Sequence, residues 1–186
     1  MLMTTKMPLG LSRGTVRVVA ADMRWPELFR AEADRVAAAV ARTGLAPLAL
    51  EHVGSTAVAG LAAKPILDLI TGYLPGADLQ PYLKLCVSLG YEPRGPQGVA
   101  ERELLVFGPA IARTHHLNLV ELGGRFWREH LVFRDRLRAD PALASAYAAL
   151  KRKLARRHAG DRGAYTAGKA AFVAGVLDER DVSAAG

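Results

Sequence analysis

Only one cysteine, Cys86, stands among the 186 residues, so no disulfide can close within the chain and no cysteine-based metal spacing exists. Set in Leu-Lys-Leu-Cys-Val, it reads as a buried core thiol. No apolar run approaches the roughly 18 residues of a membrane-spanning helix, although 51% of the chain is hydrophobic. The opening residues M-L-M-T-T-K-M-P-L-G lack the apolar stretch and cleavage site of a secretory signal, and the expected location is cytoplasmic, with no membrane partner. Aromatics are scarce at 6% and form no periodic pattern among the basic residues, so a nucleic-acid partner is not expected. Repeats and low-complexity tracts are absent, and nothing marks an oligomeric state.

What the chain has is basic charge, concentrated in one region. The formal charge is +7, and Arg125 to Lys169 holds 12 Lys/Arg against 4 Asp/Glu, a local excess of +8. Such a region favours an anion, and without a nucleic-acid motif a small phosphorylated ligand is the expected one. On a helical wheel most of this charge faces solvent. Arg125, Arg128 and Arg136 point away from the arc of Phe126, His130, Phe133 and Leu137, whereas Arg134 falls inside it. In the next helix Lys151 borders the seam of Leu143, Tyr147, Leu150 and Leu154. Arg134, Lys151 and, as a third candidate, Arg157 are placed to turn inward.

Length and periodicity predict a single domain over 15–182 behind a loose tail, 1–14. A β-prone run, Val16 to Ala20, precedes a helix opened by Pro26 that stops before Gly44. A strand from Leu48 to Val53, a Gly-Ser loop and a strand from Ile66 to Thr71 follow. Asp78 caps a helix ended by Gly90. Glu92 to Ala100, rich in Pro and Gly, reads as a mobile loop. Two strands come next, Glu103 to Phe107 and His115 to Leu122. The remainder reads as helices over Gly124–Ala139, Pro141–His158 and Arg162–Glu179. Strands first and helices last predict an α+β domain, or an α/β core with a helical cap.

The stretch Leu50 to Thr71 carries the chemistry. Asp68 sits among Ile66, Leu67, Leu69 and Ile70, where a carboxylate is costly to bury unless a metal or a cation meets it. Gly54-Ser55 offers close backbone approach and free N–H groups to a phosphate. A phosphate-compatible turn followed by a strand-borne acid fits metal-dependent phosphoryl chemistry. Strand parity puts His116 and Asn118 on one face, alternating with apolar neighbours and able to line a cleft beside Asp68. His115 has the opposite parity, and His52 directly precedes the loop. On the last helix Lys169 lies inside the stripe of Tyr165, Phe172, Val173 and Val176, where it must snorkel, pair with an acid or meet a ligand anion.

The run V-G-S-T-A-V-A-G-L-A-A-K-P-I-L-D, with W-P-x-x-F at Trp25 to Phe29, T-H-H-L-N-L-V-E at Thr114 to Glu121 and F-R-D-R-L-R at Phe133 to Arg138, resembles the GrpB (UPF0157-like) family of the nucleotidyltransferase superfamily. The resemblance extends from about Val16 to Leu177. It implies a small mixed β-sheet of nucleotidyltransferase type with a helical C-terminal half, and a Mg2+-dependent nucleotidyltransferase-like enzyme that takes a nucleoside triphosphate and an unidentified small-molecule acceptor. Under it Gly54 and Ser55 cradle the triphosphate, and Asp68 holds the metal. His116 and Asn118 line the acceptor side, with His116 grouped with Asp68 as catalytic. Lys64, Arg134 and Lys169 neutralise phosphate charge. Three positions depart from the family pattern: Ala59 for a usual Pro, Asn118 for a common His, and Ile70 where the superfamily has a second acid. That missing acid motivates an alternative, a non-catalytic nucleotide-binding or regulatory module; an ATP-using ligase on the same fold is a further one.

Overall fold

The structure, a computed structural model, describes residues 9–177. Its centre is a five-stranded sheet built from β1 (Ala49–Val53), β2 (Leu67–Tyr73), β3 (Glu92–Gly95), β4 (Arg102–Phe107) and β5 (His115–Glu121). The order across the sheet is β1-β2-β5-β4-β3. Only the β2–β5 pair is parallel; the other neighbours are antiparallel. The sheet is therefore mixed, and the domain is α+β as expected.

Alternation along the central strands creates two unlike faces. Leu67, Leu69, Leu105, Leu117 and Leu119 pack with Trp25 of α1 (Trp25–Ala41) and with Tyr82 and Cys86 of α2 (Leu79–Ser88). On the opposite face Ile70 and Val120 pack with Val53 and with Phe126 and Trp127 of α3 (Arg125–Ala139). α4 (Pro141–Arg157) continues this second layer, joined to α3 through Leu137, Tyr147 and Ala148. Local sequence sets the helix ends: Pro26 lies in the first turn of α1, and the Asp78 carboxylate caps α2 by accepting from the Gln80 N–H at 2.9 Å. Asp140 caps α4 by accepting from Ala142 and Leu143. No helix among the described residues is long and apolar enough to cross a membrane.

Three expectations change. The stretch Glu92 to Ala100 is not all loop, because Glu92–Gly95 pairs with β4 as an edge strand. At a sheet edge Pro93 removes no ladder bond that the sheet needs, and the register shifts there between Pro93 and Gly95. The last helix is two: α5 (Arg162–Ala167) and α6 (Ala170–Val176), broken at Gly168-Lys169, with the expected end at Glu179 outside the described residues. Within the expected tail, Leu11 is buried and bridges Arg113, and the Gly10 N–H donates to the Pro65 carbonyl at 2.7 Å. This segment, with Val19 bridged to Ala63, braces the approach to β2.

Candidate functional site

The polar residues of the sheet's second face collect at the start of β2. Parallel register sets Asp68 directly beside His116, and the His116 Nδ1–H donates to Asp68 Oδ1 at 2.9 Å. Burial alone would raise the Asp68 pKa. The His116 hydrogen bond and charge, with Lys64 and Lys169 nearby, outweigh it and hold the carboxyl at about 2. The acid that had to be met by a metal or a cation is thus met by cations. It floors a cleft of about 280 Å³ walled by the Gly54–Thr56 turn and by residues of α3, α4, α5 and α6.

Three lysines and one arginine line this cleft, against Asp68 and Glu129. Lys64 and Lys169 are half-buried, and their Nζ atoms lie 5.5 and 4.7 Å from the centre of one ring, that of the buried Tyr165. The side chains of these two lysines and of Arg162 make no hydrogen bond or ion pair among the described residues. Burial pushes the Lys64 amine down to about 8 and lowers that of Lys169; Asp68 opposes the shift in both. A ring face stabilises an ammonium only modestly when compared with a desolvated carboxylate or phosphate. The cleft carries cations in want of an anion.

The turn is set from below. Ser55 begins a short 3-10 helix, and its Oγ accepts from Lys151 Nζ at 2.7 Å; the same ammonium donates to the Ala62 carbonyl at 2.6 Å. Lys151 is 2% exposed, lies over the Tyr147 ring at 4.6 Å, and is pushed down to about 7 by burial and then by Lys169 and Arg152. Gly54 has φ +68°, and a Cβ there would stand 2.7 Å from Asp68 Oδ2. The glycine is demanded by the chain's own carboxylate, whatever approaches from the cleft. Behind the turn His52 stacks on Phe29 at 4.7 Å and meets Thr56 Oγ1 at 3.0 Å. Desolvation lowers its pKa to about 4, which keeps it neutral.

The structure thus brings Gly54, Ser55, Lys64, Asp68, His116 and Lys169 together. Two expected residues are not among them. Arg134 turns inward but to β1, donating to Glu51 at 2.6 Å and to the His52 carbonyl at 3.1 Å, with Asp135 on its other edge at 2.7 Å. Asn118 is buried one pleat further along the face, beside Ile70, where it donates to the Leu69 carbonyl and accepts from Arg102. Sequence reasoning missed Arg162, Glu129 and Tyr165 as lining groups. Tyr147 and Lys151, four apart on one helix face, carried a readable signal; Arg162, at the start of a short helix, carried none. Arg157 is exposed.

A divalent-metal pair does not fit these donors. The second carboxylate position is Ile70, fully buried beneath α3. Glu51 is engaged by Arg134, and Glu103 accepts from the Gly95 N–H. No three His, Cys, Asp or Glu side chains among the described residues group so as to hold a metal ion.

A mixed sheet with a Gly-Ser turn, a strand-borne acid and a helical half over one face defines a fold of nucleotidyltransferase type. The Cid1 poly(U) polymerase with Mg and 3′-dATP bound shares it, with a TM-score of 0.55 over 81% of this chain and 49% of that one; at 14% identity the likeness is one of fold alone. The chain belongs to the GrpB family, whose model, described as GrpB protein, matches residues 15–179. The crystal structure of conserved protein GrpB from Enterococcus faecalis superimposes with a TM-score of 0.77 at 31% identity, covering 91% of this chain and 99% of that one. A UPF0157 protein of Pseudomonas aeruginosa is 42% identical over 87% of this chain and 66% of its own length. Glutamate-rich protein GrpB of Alkalihalophilus pseudofirmus is 30% identical over 92% of this chain and 99% of its own. The chain therefore spans just under two thirds of the Pseudomonas relative.

Proposed function

We propose that the cleft binds a nucleotide, or a related phosphorylated small molecule, through its phosphates. The observation that carries this reading is the pair of half-buried ammonium groups, Lys64 and Lys169, that share the Tyr165 ring and form no ion pair with the one nearby carboxylate, Asp68. Burying a charge without a partner is costly, and a ligand phosphate would offset that cost. Arg162 at the rim and the open end of the Ser55–Ala57 turn add donors around the same space. The fold shared with nucleotide-binding polymerases supports a nucleoside triphosphate as the first ligand to try.

A second reading, nucleotidyl transfer to a small acceptor, is favoured by the Asp68–His116 pair on the cleft floor. There His116 would hold a proton beside a reacting oxygen. It lacks the second strand-borne acid, since Ile70 is sealed in the core. Binding is therefore the leading function and transfer the subordinate one.

Calorimetric titration of a nucleoside with its mono-, di- and triphosphate tests the leading reading. Affinity should climb with each phosphate by several-fold, and Lys169→Met, which keeps length and apolar contact, should flatten that ladder with little change in melting temperature. Equal affinity of wild type and Lys169→Met across the ladder would leave Lys169 as a snorkelling residue and remove the reading's main support.

A further inference from the structure

We propose that the ammonium groups of this cleft do the work usually given to divalent cations, so that the chain binds the phosphate tail of its ligand as the free anion, without magnesium. This rests on the phosphate reading above and specifies its charge chemistry. Two independent features point there. The acids are few and already engaged: Asp68 accepts from His116, Glu129 accepts from Arg125 at 2.7 Å, and the next position along the strand face is the buried Ile70. The cations outnumber them and are not ion-paired: among the described residues the Lys64 and Lys169 side chains lie over a ring and feel Asp68 only at a distance, with no hydrogen bond or ion pair to it, and Arg162 is exposed.

The electrostatics then run opposite to those of a metal site. Where a metal bridges carboxylate and phosphate, the carboxylate is needed for binding. Here a phosphate seated between Lys64 and Lys169 would lie near the Asp68 carboxylate with nothing to bridge them, and the two would repel. Asp68 serves instead as the counter-ion that gathers Lys64, Lys169 and His116 before the ligand arrives. Magnesium on the ligand cancels two of its negative charges and weakens its attraction to the ammonium groups. The unlike signs of these expectations separate the two chemistries.

The experiment titrates ATP and inorganic triphosphate into wild type, Asp68→Asn and Lys64→Met, in EDTA and in excess MgCl2 at matched ionic strength, so that screening is held constant. Wild type should bind ATP about fivefold or more tighter in EDTA than in magnesium. Asp68→Asn should bind a few-fold tighter than wild type in EDTA, and Lys64→Met about tenfold or more weaker. Melting temperatures of the free proteins identify a variant that has lost its fold. If Asp68→Asn is such a variant, the magnesium comparison on wild type decides alone. Binding that requires magnesium or tightens with it, or that vanishes in a folded Asp68→Asn, would overturn the proposal while keeping the phosphate reading. If neither ATP nor triphosphate binds under either condition, both fall together.

Discussion

Lys151 concentrates the site's electrostatic problem in one residue. Its amine is almost wholly buried, faces Lys169, Arg152 and Lys64 as like charges with Asp68 as the opposing one, and is pushed from an ordinary 10.5 to about 7. Between those values the unfolded chain holds a proton that the folded chain does not, so stability rises with pH across that interval. Lys64, at about 8, acts in the same sense. From about pH 9 upward Cys86, raised to about 11, and Tyr165, raised to about 12, act in the opposite sense, so the window to examine is pH 7 to 9. Urea midpoints should rise over that window in wild type and rise less in Lys151→Met, which has no amine to titrate. Parallel profiles would mean that the folded protein keeps Lys151 charged through the window. The residues at the floor were legible before the fold was known. Asp68 stood out as an acid in an apolar run, and parity placed His116 with it. Gly54 was legible as a place for close phosphate approach, but a second demand on it was not, because only the structure sets the Asp68 Oδ2 where a Cβ of residue 54 would go.

At the scale of elements, helical wheels picked out Arg134 and Lys151 as turning inward but not what they would meet, and the third candidate, Arg157, is exposed. Arg134 illustrates the gap. Its inward direction was correct, yet its guanidinium ties α3 to β1 through Glu51 and the His52 carbonyl. Asn118 shares the Asp68 face, as parity required, but the parallel register carries it past the cleft and under Arg102. Arg134→Met should therefore lower stability by about 1–2 kcal/mol, a figure kept small because Glu51 is 41% exposed and its pair is screened. Nucleotide affinity should stay within about twofold of wild type. A variant with unchanged melting temperature and weakened affinity would return Arg134 to the ligand-binding set. The two missed boundaries also have physical reasons. Proline and glycine in 92–95 are loop-like by propensity, but an edge strand tolerates both. At Gly168 a Cβ would come within 2.5 Å of Leu154 Cδ2, a close approach between α5 and α4 that no local pattern announces.

For the whole molecule, the basic surplus divides into two populations with different consequences. A few cations are folded around the cleft and Arg134 is buried against β1, while most of the remaining Arg125–Lys169 excess lies on solvated helix faces, among them Lys153, Arg156 and Arg157, all exposed and none lining the cavity. Composition made the surplus visible, and periodicity assigned most of it to solvent, but only the tertiary fold sorts the two groups. Exposed charges more than a Debye length from a ligand, about 8 Å at physiological salt, are largely screened from it. They still govern how the protein meets extended polyanions, whose many charges engage the surface field as a whole. Replacing Lys153, Arg156 and Arg157 together by Gln should lower the salt needed to elute the protein from a heparin column. Melting temperature and the affinity for ATP at about 0.15 M salt should stay close to wild type. A drop of about tenfold in ATP affinity, with heparin elution unmoved, would mean that the outer face of α4 belongs to the binding site and that the cleft cations are not sufficient.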